Sequence, residues 1–163
     1  MKTFTIEDIR DWEPCYDPGT LLPENWSGTA LDILRLEEMP CENRLWVVLR
    51  PEILDDKTLR WFAIWCARRS QPWLTDPRSI NAIDVAEKFA SGNATEEELV
   101  AARRYAFAAW KATKKEEFAS GAKVSAAEAA LAAVAARPGA EKWRRGVSST
   151  AQVAHLIKML ELA

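Results

Sequence analysis

Apolar side chains recur along this chain at three- and four-residue spacing, and Pro, Gly and capping residues cut that recurrence into segments. Thr5 precedes the first segment, residues 6–12, with Glu7 and Asp8 in the opening turn, where a helix N-terminus favours negative charge. Pro14, Pro18, Gly19 and Pro23 then break structure up to about Gly28. Thr29 caps a predicted helix over 30–38, with Leu31, Ile33, Leu34 and Leu36 as its apolar stripe. A further helix is predicted over 42–49. Its run of five apolar residues, Leu45 to Leu49, is also compatible with a buried strand, but no second strand pattern exists for it to pair with. Asp55 opens a strongly apolar helix over 56–70. Asp76 followed by Pro77 opens another, to about Ser91, with Gly92 as its stop. Thr95-Glu96-Glu97-Glu98 reads as a capping box for a long helix to about residue 119. Ser125-Ala126-Ala127-Glu128 repeats that pattern ahead of an alanine helix ending near Arg137-Pro138-Gly139, and a last helix starts at Ser148 or Ser149. No stretch shows the strict alternation of a strand. The expectation is an all-α fold, a compact multi-helix bundle of seven or eight helices, in a single domain over residues 1–163.

Composition sharpens this picture at two points. Much of the 48% hydrophobic content is alanine, so the core must lean on eight Trp, five Phe and the larger aliphatics, while the alanine-rich helices allow close backbone approach. Charge is uneven beneath a net of −2: residues 1–42 hold ten acidic and three basic side chains, residues 43–163 fourteen and nineteen. The expectation is that the acidic N-terminal part, 1–42, packs on a helical body, 43–163; an acidic face offered to a basic partner is the alternative. Cys15, Cys41 and Cys66 are too few and too dispersed for a disulfide framework, which points to a reducing, cytoplasmic setting. The chain shows no signal-peptide pattern and no apolar run of membrane-spanning length.

The chemistry-bearing residues form no catalytic set. His155 is the single histidine, beside Leu156 on the terminal helix, and reads as a surface or packing residue. The cysteines do not converge with other metal-ligand types, no Gly-rich loop follows a strand, and no nucleophile elbow is present. Asp55/Asp56 and Glu96 to Glu98 are accounted for by helix capping. No enzyme activity, cofactor or metal is expected.

The residues with most to offer a partner lie on the apolar helix and just beyond it. Trp61 and Trp65 are four apart and share a helix face, Arg68 follows one turn later, and Arg69, Trp73 and Arg78 come next. Trp and Arg are enriched where protein interfaces concentrate their energy, and they also serve as core and cation–π material. Asp76 is placed to pair with a neighbouring arginine. These six residues are the candidate protein-binding surface.

Several segments carry a resemblance. Leu45-Trp46-Val47-Val48-Leu49-Arg50-Pro51-Glu52, Ala67-Arg68-Arg69, Asp76-Pro77-Arg78-Ser79-Ile80-Asn81-Ala82-Ile83, Ala86-Glu87-Lys88-Phe89-Ala90-Ser91-Gly92 and the block from Ala94 to Arg103 together resemble an alanine- and tryptophan-rich helical family of bacteria and phages. Some members carry an immunity-protein label from the neighbourhood of polymorphic toxin genes. The similarity covers roughly residues 42–112. Where relatives continue into Ala-Ala-Trp-type repeats, this chain keeps only Tyr105-Ala106-Phe107-Ala108-Ala109-Trp110 before a charged stretch from Lys111 to Glu117. The resemblance implies a mobile-element protein that inhibits by binding: an immunity protein occluding a cognate toxin, or a phage counter-defence protein of the anti-CRISPR type acting on a defence effector. A nucleic-acid-binding regulator using Arg68, Arg69, Arg78 and the basic turn 137–145 is a further alternative, disfavoured by the net charge of −2. A self-associating scaffold, which would make the chain a homo-oligomer, is another.

Overall fold

The structure is a computed structural model and describes residues 1–116, 121–135 and 148–162. Within them the chain is all-α, with eight helices and one two-stranded sheet. It divides into two units, Met1–Leu54 with Ser149–Ala163, and Asp55–Ser148.

The first unit is built from short elements. Strand β1 (Thr3–Thr5) runs directly into helix α1 (Ile6–Asp11), and strand β2 (Ser27–Thr29) directly into α2 (Ala30–Leu34). The strands pair antiparallel with Phe4 opposite Gly28. They are a departure from the strand-free expectation: three residues are too few for alternation to register, and the pairing joins segments 24 residues apart (Thr5 against Ser27, Thr3 against Thr29, with Phe4–Gly28 between). Both strands end in the same device. Thr5 and Thr29 accept from the backbone N–H of Asp8 and Asp32, whose carboxylates reach back to the threonine N–H. Helices of six and five residues cannot persist on propensity alone, so these reciprocal caps and the packing of Ile6, Ile9, Ile33 and Leu34 hold them. Phe4 is buried between Trp12 and Trp26, at ring-centroid distances of 5.8 and 5.4 Å. Gly28 is required there, because a Cβ at that position would lie 2.7 Å from Trp26 Cζ2.

Helix α2 stops at Leu34 rather than near residue 38. Arg44 supplies a reason: its Nη1 donates to the Leu34 carbonyl at 2.8 Å, satisfying an acceptor at the helix end. Arg44 sits on α3 (Cys41–Val48), so the apolar run from Leu45 is helical, as expected. The last helix, α8 (Ser149–Glu161), packs on α2 and α3, and Arg35 pairs with Glu161 at 2.6 Å.

The second unit holds four helices, α4 (Asp56–Ser70), α5 (Pro77–Ala90), α6 (Glu96–Lys115) and α7 (Gly121–Ala133). Asp55, Asp76 and Thr95 cap the first three as the sequence predicts. Helix α7 begins four residues before Ser125, which lies inside it. No Pro or Gly interrupts Ala122 to Val124, and Glu128 serves α6 instead, accepting from Trp110 Nε1 at 3.4 Å. The predicted end of this helix, near 137–139, lies outside the described residues. Every fully buried residue of α7 is alanine, and these meet Ala82 and Ala86 of α5 and Ala102 and Ala106 of α6. Ile64, Ile83, Leu99 and Val134 complete the cluster, and alanine makes up the larger part of it.

Candidate functional site

On helix α4, Leu59, Phe62, Ile64 and Cys66 are buried, while Trp61, Trp65 and Arg68 are half-buried and Arg69 is exposed. The burial of Cys66 pushes its thiol up to about 12, so it is neither a ligand nor a nucleophile at neutral pH. Cys15 is exposed and Cys41 half-buried, and both are reduced. His155 is half-buried on α8. Among the described residues no three His, Cys, Asp or Glu side chains converge in a way that would hold a metal.

The six candidate residues separate by what holds them. Trp61 is half-buried and packs on the α4–α7 core. Arg68 is bound on several sides by its own chain. Its Nε and Nη2 form a two-pronged pair with Glu87 at 2.7 and 2.6 Å, Nη2 also reaches Asp84 at 2.7 Å, and Nη1 reaches Gln71 at 3.0 Å. These carboxylates raise the Arg68 pKa above its ordinary value, Glu87 first, and tie α4 to α5. Arg78 lies over Asp76, with Nη2 at 2.6 Å from Oδ2, while Oδ1 of the same carboxylate caps α5. That guanidinium holds Asp76 below the usual aspartate range. Arg68 and Arg78 therefore have structural partners on the chain.

Arg69 and Trp73 remain presented outward. Trp65 is half-buried and stacks on Phe62 at 6.2 Å, and Arg69, exposed, places its guanidinium 5.8 Å from the Trp65 ring centre. Trp73 lies on a 3₁₀ turn (Gln71–Trp73) that Pro72 imposes after α4, and 55% of its surface is exposed. Such exposure of the largest apolar side chain costs solvation free energy and leaves at the surface a residue type enriched in protein interfaces.

A second face went unread in the sequence. On helix α6 Phe107 is exposed and stacks on Trp110 at 5.5 Å, while Tyr105, also exposed, points to a different side of the helix. Lys111 Nζ lies 4.7 Å from the Phe107 ring and Lys114 Nζ 4.8 Å from that of Trp110. The signal was present in the spacing, since Phe107–Lys111 and Trp110–Lys114 are each four apart and so lie one above the other on a helix. It was hidden because Tyr105 to Trp110 was read as a remnant of an alanine–tryptophan repeat. Of the basic turn at 137–145, all residues lie outside those described.

No helix among the described residues is long and apolar enough to cross a membrane. The chain matches no protein-family model, no curated protein and no solved structure.

Proposed function

We propose that this chain is a non-enzymatic protein-binding inhibitor of the immunity type, neutralising a cognate toxin by covering its working surface. One observation carries the reading. At the end of α4 the chain exposes Trp73 beside the cation–π pair Trp65–Arg69, the residue types that anchor protein interfaces, on a helix whose other face is locked into a core. The order of sequence blocks through 42–112 supports the same class. A cytoplasmic site of action belongs to this proposal, and the docking residues are Trp65, Arg69 and Trp73. Trp61 packs on the core and Arg68 ties α4 to α5, while Arg78 is engaged by Asp76.

The experiment is capture of partners by the tagged chain and by its Trp73→Ala and Arg69→Ala variants. A toxin domain retained by the native chain, and bound at least tenfold more weakly by Trp73→Ala with unchanged circular dichroism, is the expected result. Retention of subunits of a defence complex instead would move the protein to the counter-defence class. Equal capture by both variants would remove α4 as the docking edge.

The α6 face favours a second reading, nucleic-acid binding, because it interleaves exposed aromatics with Arg103, Arg104, Lys111 and Lys114. A gel shift that weakens steeply with salt is its signature, and no shift at low salt discards it.

A further inference from the structure

One arginine of the first unit is held quite differently from the rest. Arg10, Arg35, Arg68 and Arg78 each meet a carboxylate, and Arg44 donates to the Leu34 carbonyl. Arg50 meets none. Its guanidinium carbon lies 4.0 Å from the ring centre of Trp46 and 4.9 Å from that of Trp12, so indoles flank it. Tyr16 packs edge-on against Trp46 at 6.3 Å. Two polar atoms here are buried with no hydrogen-bond partner among the described residues, Arg50 Nε and Tyr16 Oη. Among the described residues Arg50 Nη1 and Nη2 make no hydrogen bond either, and neither is one of the fully buried unpartnered atoms.

The surrounding backbone fixes this arrangement. The Arg50 carbonyl accepts from Ile53 and Leu54 at 3.0 and 2.9 Å, anchoring the residue just beyond α3. Trp12 closes α1, and Glu13, at φ 54°, is the one non-glycine residue with positive φ among those described. That left-handed step turns the chain so that Tyr16 comes back onto Trp46. An uncommon backbone conformation is thus maintained where the aromatic group is assembled.

The geometry points to a carboxylate-binding site, formed by Arg50 between Trp12 and Trp46 with the Tyr16 hydroxyl beside it, that takes an Asp or Glu side chain of a partner protein. Stacking on indoles holds a guanidinium in place without neutralising it. A planar carboxylate lying in the guanidinium plane meets it with two parallel hydrogen bonds. Charge argues the same way. The first unit carries twelve acidic and six basic side chains, a field that repels a polyanion far more than a single carboxylate. Burial pulls the Arg50 pKa below its ordinary value against the opposing charge of Glu52, and burial raises that of Tyr16. The site is separate from the α4 edge and stands or falls independently of the toxin reading.

The test is two-dimensional nitrogen NMR on the full chain, titrated with sodium acetate and, in parallel, with sodium chloride at equal ionic strength. The Arg50 Nε–H and the indole N–H signals of Trp12 and Trp46 are expected to shift saturably with acetate and not with chloride. Arg50→Lys keeps the charge and loses the fork, and is expected to abolish the saturable shift. Tyr16→Phe, which preserves the packing, is expected to weaken acetate about fivefold, one hydrogen bond's worth. A hexapeptide with one central Glu should shift the same signals, and its Gln counterpart should not. Shifts with acetate no larger than with chloride would overturn the proposal. So would inorganic phosphate binding more tightly than acetate, or Tyr16→Phe and Arg50→Lys both titrating as the native chain does.

Discussion

The two units bury apolar surface by opposite means. The first uses large side chains on short elements: Phe4 on strand β1, and Ile6, Ile9, Ile33, Leu34 and Leu45 on helices of five to eight residues, are all nearly or completely buried. The second uses helices of 13 to 20 residues, and where these meet the contact is mostly alanine. Large side chains each contribute more transfer free energy but require caps and a specific fit. Alanines contribute little individually and instead bring long backbones together, so dispersion contacts accumulate along the helix. The two cores should therefore fail to opposite substitutions.

The largest effect is expected from emptying the first core. Leu45→Ala, at a site with no solvent exposure, should cost about 2–5 kcal/mol in urea unfolding. The matching truncation in the second unit, Ala106→Gly, should cost only about 1 kcal/mol, from helix propensity. Its sensitivity lies in the other direction, with Ala106→Leu costing about 1–3 kcal/mol by overpacking. If Ala106→Leu proved neutral, close alanine packing would not be what holds α6, and the contrast would be lost.

Gly28→Ala comes next, at about 1–3 kcal/mol, because the new methyl group must displace the Trp26 ring. Hydrogen exchange would locate the loss in the β1–β2 amides if the comparison holds. Acid should then weaken both units together. Asp8 and Asp32 cap the first unit and Asp55 the second, and hydrogen bonds from Thr5, Thr29 and Thr58 hold all three below the ordinary 3.8. A depressed carboxylate contributes stability that is present above its unfolded pKa and lost as pH falls through the folded one. Melting temperature should therefore be flat from pH 7 to about 5 and drop below about pH 4. The smallest effect is expected from Arg68→Met. Its ion pairs are about one-third solvent-exposed, so salt and water screen them, and a loss of about 1 kcal/mol or less is predicted.

What could be read in advance was what short stretches decide. Thr5, Thr29, Asp55, Asp76 and Thr95 each start a helix through a hydrogen bond spanning two or three residues, so their positions follow from sequence. Ser125 shows where this reasoning fails: it has the capping spelling, but nothing upstream halts the helix, and propagation passes through it. At the candidate site, Trp61 to Arg78 were recognised as residue types. Their division into paired and presented was not visible, because Arg68 meets Glu87 nineteen residues away. Arg50 was unreadable for the same reason, being flanked by Trp12 from another element.

The sequence by itself determined the helical class, most helix starts and the alanine-lined character of the second core, since capping, propensity and periodicity act within a turn or two. Only the tertiary structure decided the strand pair, the early end of α2, which arginines are neutralised and which aromatics stay at the surface. Those depend on contacts between residues distant in the chain, and their free energies appear only when folding has brought both partners together.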